Sequence, residues 1–203
     1  APYRIGEAEK KALGGKAHAL VMCVKSPADA SWGTYHDTEN LAYCDSKASH
    51  YNDISGYGNS EHIRTNRGSL DDYPAFKAAI DFNTVVPVPA TTTGWYLPAV
   101  GQWWDIMQNL GGCPALALSD EQTSSETGIW GFKDQGDVVA ALNNRMKYIA
   151  DKNKTAFDNG HYWTASESKG AGVIWSVLNN SYVGRTVGVK YNHPLKVRPV
   201  LAF

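Results

Sequence analysis

The chain has 203 residues, 43% hydrophobic and 19% charged, with seven Trp, eleven Tyr and five Phe. So much apolar and aromatic material can bury enough surface to offset chain entropy, which excludes a disordered tail. Nineteen Lys and Arg against twenty Asp and Glu leave a net charge of −1, which argues against general nucleic-acid binding, and no apolar run approaches the ~20 residues of a membrane-spanning helix.

In chain order, His18–Val24 is a short apolar run after Gly14-Gly15 and reads as a buried strand. Residues 25–71 are rich in Ser, Asn, Asp, Gly, Tyr and His without a sustained period. They read as a long irregular loop pinned down by Trp32, Tyr35, Tyr43, Tyr51 and Tyr57. Asp71-Asp72-Tyr73-Pro74 then looks like the capped start of a helix with Phe76, Ala79 and Ile80 on one face. A second helix is expected from Leu97-Pro98, carrying Val100, Trp103, Met107 and Leu110 and closed by Gly111-Gly112. One of Trp103 and Trp104 should face the core and the other its border. A third helix runs from about Asp134, with Val138, Leu142, Met146 and Ile149 in register. After Gly160 the period becomes that of strands: 162–166, 173–178, a turn at Asn179-Asn180-Ser181, 182–189, and a closing strand over Leu195, Val197, Leu201 and Phe203. The expected fold is a single α+β domain over 1–203, a small antiparallel or mixed sheet with two or three helices and long loops.

Catalytic and metal signatures are sparse. Cys23, Cys44 and Cys113 are odd in number and lack Cys-x-x-Cys spacing; they read as buried free thiols, with one bridge and a spare thiol as the alternative. Gly56-Tyr57-Gly58-Asn59-Ser60-Glu61 lacks the third glycine of a dinucleotide loop and reads as a Gly-rich turn. His18 reads as a packed strand-edge histidine. Asp37, Glu39, Asn40, Asp45, Asn52 and Asp53 have no calcium-loop spacing and read as solvated loop residues. No metal or cofactor site is expected. Tyr182, Arg185, Tyr191, Asn192 and His193 combine flat rings with hydrogen-bonding groups, the chemistry of a recognition surface or of a polar sheet edge. The chain opens Ala1-Pro2-Tyr3, so any export signal is expected to be already removed or to lie outside this stretch.

Four runs carry a family resemblance. Gly94-Trp95-Tyr96-Leu97-Pro98-Ala99-Val100-Gly101-Gln102-Trp103 is similar to the "GW-x-LP-x-x-x-E-W" signature of bacterial C-type-lectin-like domains. Those include the formylglycine-generating-enzyme-like set and the C-terminal domain of collagen-like adhesins. Tyr162-Trp163-Thr164-Ala165-Ser166-Glu167, Ile174-Trp175-Ser176-Val177 and Lys196-Val197-Arg198-Pro199-Val200 resemble the family's later strands. The resemblance implies a C-type-lectin-like fold, with Trp95, Trp163 and Trp175 as structural anchors. Gln102 replaces the signature Glu, no cysteine follows Cys113, and the calcium-lectin triplets are missing, so neither the oxidase activity nor calcium-dependent sugar binding carries over.

The Tyr- and Asn-rich C-terminal segment also resembles the variable proteins of diversity-generating retroelements, found in phage and in bacterial surface proteins. That resemblance implies ligand contacts from Ser168, Lys169, Ala171, Val173, Asn179, Asn180, Tyr182, Arg185, Tyr191, Asn192 and His193, and the binding reading adds Trp175 as apolar contact area. The expected function is non-catalytic binding of a protein or glycan, extracellular, at a cell surface or on a phage virion. The alternatives are a pilus-tip or surface-anchoring subunit, favoured by an exposed strand edge, and an enzyme using His36, Asp45 or His161 under the long loop.

Overall fold

A computed structural model describes residues 4–34, 38–42, 44–113, 122–124, 129–132, 136–168, 170–178 and 182–203. Its helices are α1 (Glu7–Ala12), α2 (Lys47–Asn52), α3 (Gly56–Asn66), α4 (Pro74–Asp81), α5 (Val100–Asn109) and α6 (Val138–Arg145). Its strands are β1 (Leu20–Met22), β2 (Gln122–Ser124), β3 (Ile129–Phe132), β4 (Gly160–Ser168), β5 (Ala171–Leu178), β6 (Tyr182–Gly188) and β7 (Val200–Ala202). The fold is α+β, as the sequence indicates. β2-β3-β6-β5-β4 form an antiparallel sheet, and β1 pairs with β7 in a separate two-stranded ribbon that brings the two ends of the chain together.

Strands β4 and β5 are packed on both faces of the sheet. Val173, Trp175 and Val177 on β5 and Val183 on β6 point into a core shared with α5 (Trp103, Trp104, Met107) and α6 (Val138, Leu142). Ile174 on β5 and Trp163 on β4 point the other way, onto Trp32, Phe76, Ala79 and Leu97. Both Trp103 and Trp104 are fully buried, because α5 runs through the interior instead of lying on its surface.

α4 and α5 sit where periodicity places them, although Asp71 and Asp72 do not cap α4. They lie in a 3-10 turn whose own cap is Ser69, while Pro74 starts α4. α6 is shorter than expected, its N-terminus held by Asp137.

The larger correction concerns 25–71, which contains two helices. α2 is nucleated by a Ser46/Ser49 capping box. α3 begins in the supposed Gly-rich turn. Its Gly56 lies so close to Gln102 and the Leu97–Ala99 backbone that a Cβ would come within 2.2 Å of the Gln102 Oε1. Packing, not propensity, makes that helix. The closing strand is also broken up, since Leu195 and Lys196 make isolated bridges to Ala30 and Tyr162 while only 200–202 pair with β1.

The run Thr164-Ala165-Ser166 is a bulge. Between Trp163↔Ile174 and Glu167↔Gly172, β4 has two residues more than β5. The freed backbone bonds outward: Trp32 Nε1 donates to the Thr164 carbonyl (2.8 Å), Asn59 Nδ2 to that of Ala165 (3.1 Å), and Ala165 N–H to that of Pro98 (2.8 Å). Ser166 Oγ accepts from Val100 N–H (2.9 Å) at the start of α5 and donates to Asp53 (2.5 Å). This explains the small residues Thr164, Ala165 and Ser166 after an aromatic pair, because each must leave its carbonyl or hydroxyl within reach of a distant segment.

Gln102 also finds a physical reason. Its Oε1 accepts from Ala99 N–H (3.0 Å) and its Nε2 donates to Glu9 Oε1 (2.9 Å) and to the Tyr96 hydroxyl (3.1 Å). A Glu here would set two buried carboxylates against each other.

Candidate recognition surface

The C-terminal strands divide the twelve candidate contact residues into groups. Lys169, Asn179 and Asn180 lie outside the described residues, and of Tyr182 only the backbone, in β6, is described. Val173, Trp175 and Arg185 are corrections: each is fully buried, so none can offer its side chain to a ligand at the surface. Val173 and Trp175 belong to the core facing α5. The Arg185 guanidinium sits 4.7 Å from the Trp104 ring centre, and its Nε donates to His50 Nδ1 at 3.1 Å. Ser168 and Ala171 are partly exposed at the β4–β5 turn, and Tyr191, Asn192 and His193 are exposed after β6.

The end of β6 and the segment after it form a rim with alternating character. Val187, Val189 and Tyr191 are 40, 44 and 38% exposed, while Lys190 between them is fully buried. Asn192 follows with φ of 51°, a left-handed conformation that Asn tolerates and that turns the chain. His193 then lies edge-on to the Trp163 ring, centroids 6.3 Å apart. Val187 and Val189 were not among the sequence candidates, although their alternation at a strand end was visible.

Lys190 explains why the rim holds this shape. Its ammonium pairs with Glu167 on β4, lies 3.9 Å from Glu39 Oε1, and stands 4.1 Å from the Trp32 ring centre. Glu39 N–H donates to both Glu167 carboxylate oxygens (2.9 and 3.0 Å), and Arg67 pairs with the Glu39 carboxylate. Burial lowers the Lys190 pKa, and the bond to Glu167 opposes that shift. Burial, followed by its hydrogen bond to Glu39, raises that of Tyr73. Gly33 N–H donates to the Lys190 carbonyl (3.0 Å) and Cys44 N–H to that of Glu167 (3.0 Å). The cluster thus ties three sequence-distant segments, near 33–44, 167 and 187–193, into one support. Glu39 and Asp53, read as solvated, are buried members of such networks.

The enzymatic alternative meets a different geometry. His36 lies outside the described residues, Asp45 is exposed, and His161 Nδ1 is 2.7 Å from Ser176 Oγ within the sheet. His18 is exposed beside Phe203 instead of packed. Cys44, His50 and Asp53 do converge, a grouping that the sequence spacing did not announce. Cys44 Sγ is 3.5 Å from Asp53 Oδ2, and His50 Nε2 is 3.2 Å from the Cys44 carbonyl. Burial and the neighbouring Asp53 charge raise the Cys44 thiol far out of the nucleophilic range. Burial and the Arg185 charge lower His50 to about 4. The thiol is protonated and the imidazole neutral at physiological pH, both behind protein atoms. Among the described residues no group of three His, Cys, Asp or Glu side chains is placed to hold a metal, and no helix is long and apolar enough to cross a membrane. The three cysteines are free and buried.

No protein-family model and no curated protein matches this sequence. Among solved structures, the fold is similar to that of a fimbrial protein from Bacteroides ovatus, with a TM-score of 0.62 and 18% sequence identity. The match covers 97% of this chain and 38% of the fimbrial protein, so this chain corresponds to well under half of that protein's length.

Proposed function

We propose that this chain is a non-catalytic, surface-displayed module of the fimbrial kind, meeting a protein or glycan partner through the rim at 187–193 and the adjoining Ser168 and Ala171. The observation that carries this reading is the alternation at the rim: Val187, Val189 and Tyr191 face solvent while Lys190 is locked into a buried ionic cluster beneath them. A rigid strip that mixes apolar and hydrogen-bonding side chains loses little entropy on binding. The shared fold with part of a fimbrial protein supports an extracellular location and an adhesive or anchoring role. The protonated thiol and neutral imidazole of the buried Cys44–His50–Asp53 group favour structure over catalysis.

The lectin-like part of the reading rests on the sequence runs and on the burial of Trp95, Trp163 and Trp175. Among the described side chains, the retroelement variable-protein reading keeps Ser168, Ala171, Tyr191, Asn192 and His193, since a diversified position needs an exposed side chain; Lys169, Asn179, Asn180 and Tyr182 stay in it as proposed contacts. A near-copy of the 3′ coding region in neighbouring DNA, differing at adenines, is what it requires.

A screen of the purified domain against a glycan array and a surface-protein array tests the function. The reading expects a hit that the variant Tyr191→Ser/His193→Ser loses with its melting temperature unchanged. A hit retained by that variant overturns the rim assignment.

A further inference from the structure

The β1–β7 ribbon has one open side. Ala19 and Phe203 exchange both backbone hydrogen bonds, at 3.2 Å each, and Cys23 N–H donates to the Pro199 carbonyl at 2.9 Å. With the register Val21↔Leu201, this alternation turns the N–H and C=O of Ala19, Val21 and Cys23 toward β7 and those of Leu20, Met22 and Val24 away from it. At Val24 the outward carbonyl accepts from Thr155 N–H at 2.9 Å. Among the described residues, none bonds to the outward groups of Leu20 or Met22. The far side of β7 is covered, because Thr93 N–H donates to the Ala202 carbonyl and Tyr96 bridges Val200.

The ribbon also exposes apolar side chains beside that edge. Val21 is 39% exposed and Phe203 42%, on the face whose inner part (Cys23, Leu201) packs on Phe82 and Trp95. Along the chain, the charge that flanks β1 has one sign. Residues 10–28 contain Lys10, Lys11, Lys16 and Lys25 and no acidic residue. Lys10 is engaged by Glu7 at 2.7 Å, and Lys16 and Lys25 bracket the three-residue strand.

We infer that the outer edge of β1 receives an extended segment of a partner protein, one with alternating apolar residues and acidic side chains. The incoming backbone would bond to Leu20 and Met22, its apolar side chains would extend the Val21 surface, and its acids would meet Lys16 and Lys25. The charge argues against a second copy of this chain, since two β1 edges in antiparallel register would set one lysine bracket against another. This inference stands apart from the rim at 187–193, which lies on a different part of the chain.

A labelled nine-residue peptide alternating valine and glutamate, with a valine–lysine control, tests it by fluorescence polarisation and amide hydrogen exchange. The acidic peptide should bind saturably, slow exchange at Leu20 and Met22, and weaken as salt rises; the lysine peptide should not bind. Leu20→Pro removes an N–H that none of the described residues uses and should abolish binding. Lys16→Glu/Lys25→Glu, which leaves the ribbon intact, should weaken it about tenfold or more. Failure of the acidic peptide to bind, binding without protection of Leu20 and Met22, or equal binding by the charge-reversed variant would overturn the inference. So would dimerisation of the free chain through β1, seen as protection of the same amides with rising concentration.

Discussion

Two regions of this molecule are held together by different physics. The centre, where α5 meets β4 and β5, is a stack of aromatic rings: Trp103 tilted on Tyr162 at 5.0 Å, Trp104 edge-on to Trp175 at 5.8 Å, Tyr51 edge-on to Trp104 at 5.2 Å. The segment at 33–67 and the rim above it are held instead by buried charge, with Glu39, Glu167, Lys190 and Arg67 in contact through paired carboxylates and cations. Apolar burial is non-directional and tolerates small shifts. A buried ion cluster works only when every partner is present, because an unpaired charge in the interior is costly. The first kind of region sets the fold, and the second fixes one loop and one rim relative to each other.

Substitutions separate the two. Trp103→Ala removes a fully buried ring of the centre whose Nε1 donates to the Trp163 carbonyl (3.3 Å), and should cost roughly 3–5 kcal/mol in denaturant unfolding. No single second substitution should restore that loss. Glu167→Ala removes the nearer carboxylate from buried Lys190, leaving Glu39 at 3.9 Å, takes the acceptor from the Glu39 N–H, and should cost about 3 kcal/mol or more. Here Lys190→Met in the same chain should restore most of the stability, which a purely apolar account of the region would not produce.

Acid gives a smaller effect with a definite sign. His50 titrates at about 4 in the folded chain against an ordinary 6.5, so below pH 6.5 the unfolded chain takes a proton that the folded one refuses. Stability should therefore fall by about 2 kcal/mol between pH 7 and 5 through this group. Glu9 acts in the opposite direction, since burial raises its pKa and acid relieves a buried carboxylate. Glu9→Gln should consequently make the acid loss steeper, as followed by urea denaturation across that range. At the rim the expected effect is smallest: Tyr191→Ser should change stability by less than about 0.5 kcal/mol. A large loss would mean that the ring belongs to the support and not to the contact surface.

The same division explains what the sequence made legible. α4, α5 and the antiparallel strands β4 to β6 follow from apolar periodicity and from Pro and Gly at element ends, all of which are local. α3 was hidden because Gly56-Tyr57-Gly58 has poor helix propensity, and its helix depends on Gln102 and the 97–99 backbone closing over it. Lys190, Glu167 and Glu39 give no local signal of burial, since their partners lie 23 and 128 positions apart in the chain. Arg185 resembled a contact residue because an arginine on a strand usually faces water. Its burial against Trp104 and His50 depends on where α2 and α5 cross the sheet. Among the described candidate side chains, Tyr191, Asn192 and His193 beyond the end of β6 are exposed as their polarity implies, and Ser168 and Ala171 are partly so.

The most direct measurement is amide hydrogen exchange in Lys190→Gln, a change that weakens the ion cluster while leaving the aromatic centre untouched. The account predicts that amides of 38–42 and 187–193 lose protection together, while those of α5, β4 and β5 keep theirs. Loosening of one segment without the other, or an even loss across the chain, would contradict the claim that buried charge binds this loop and rim into one unit.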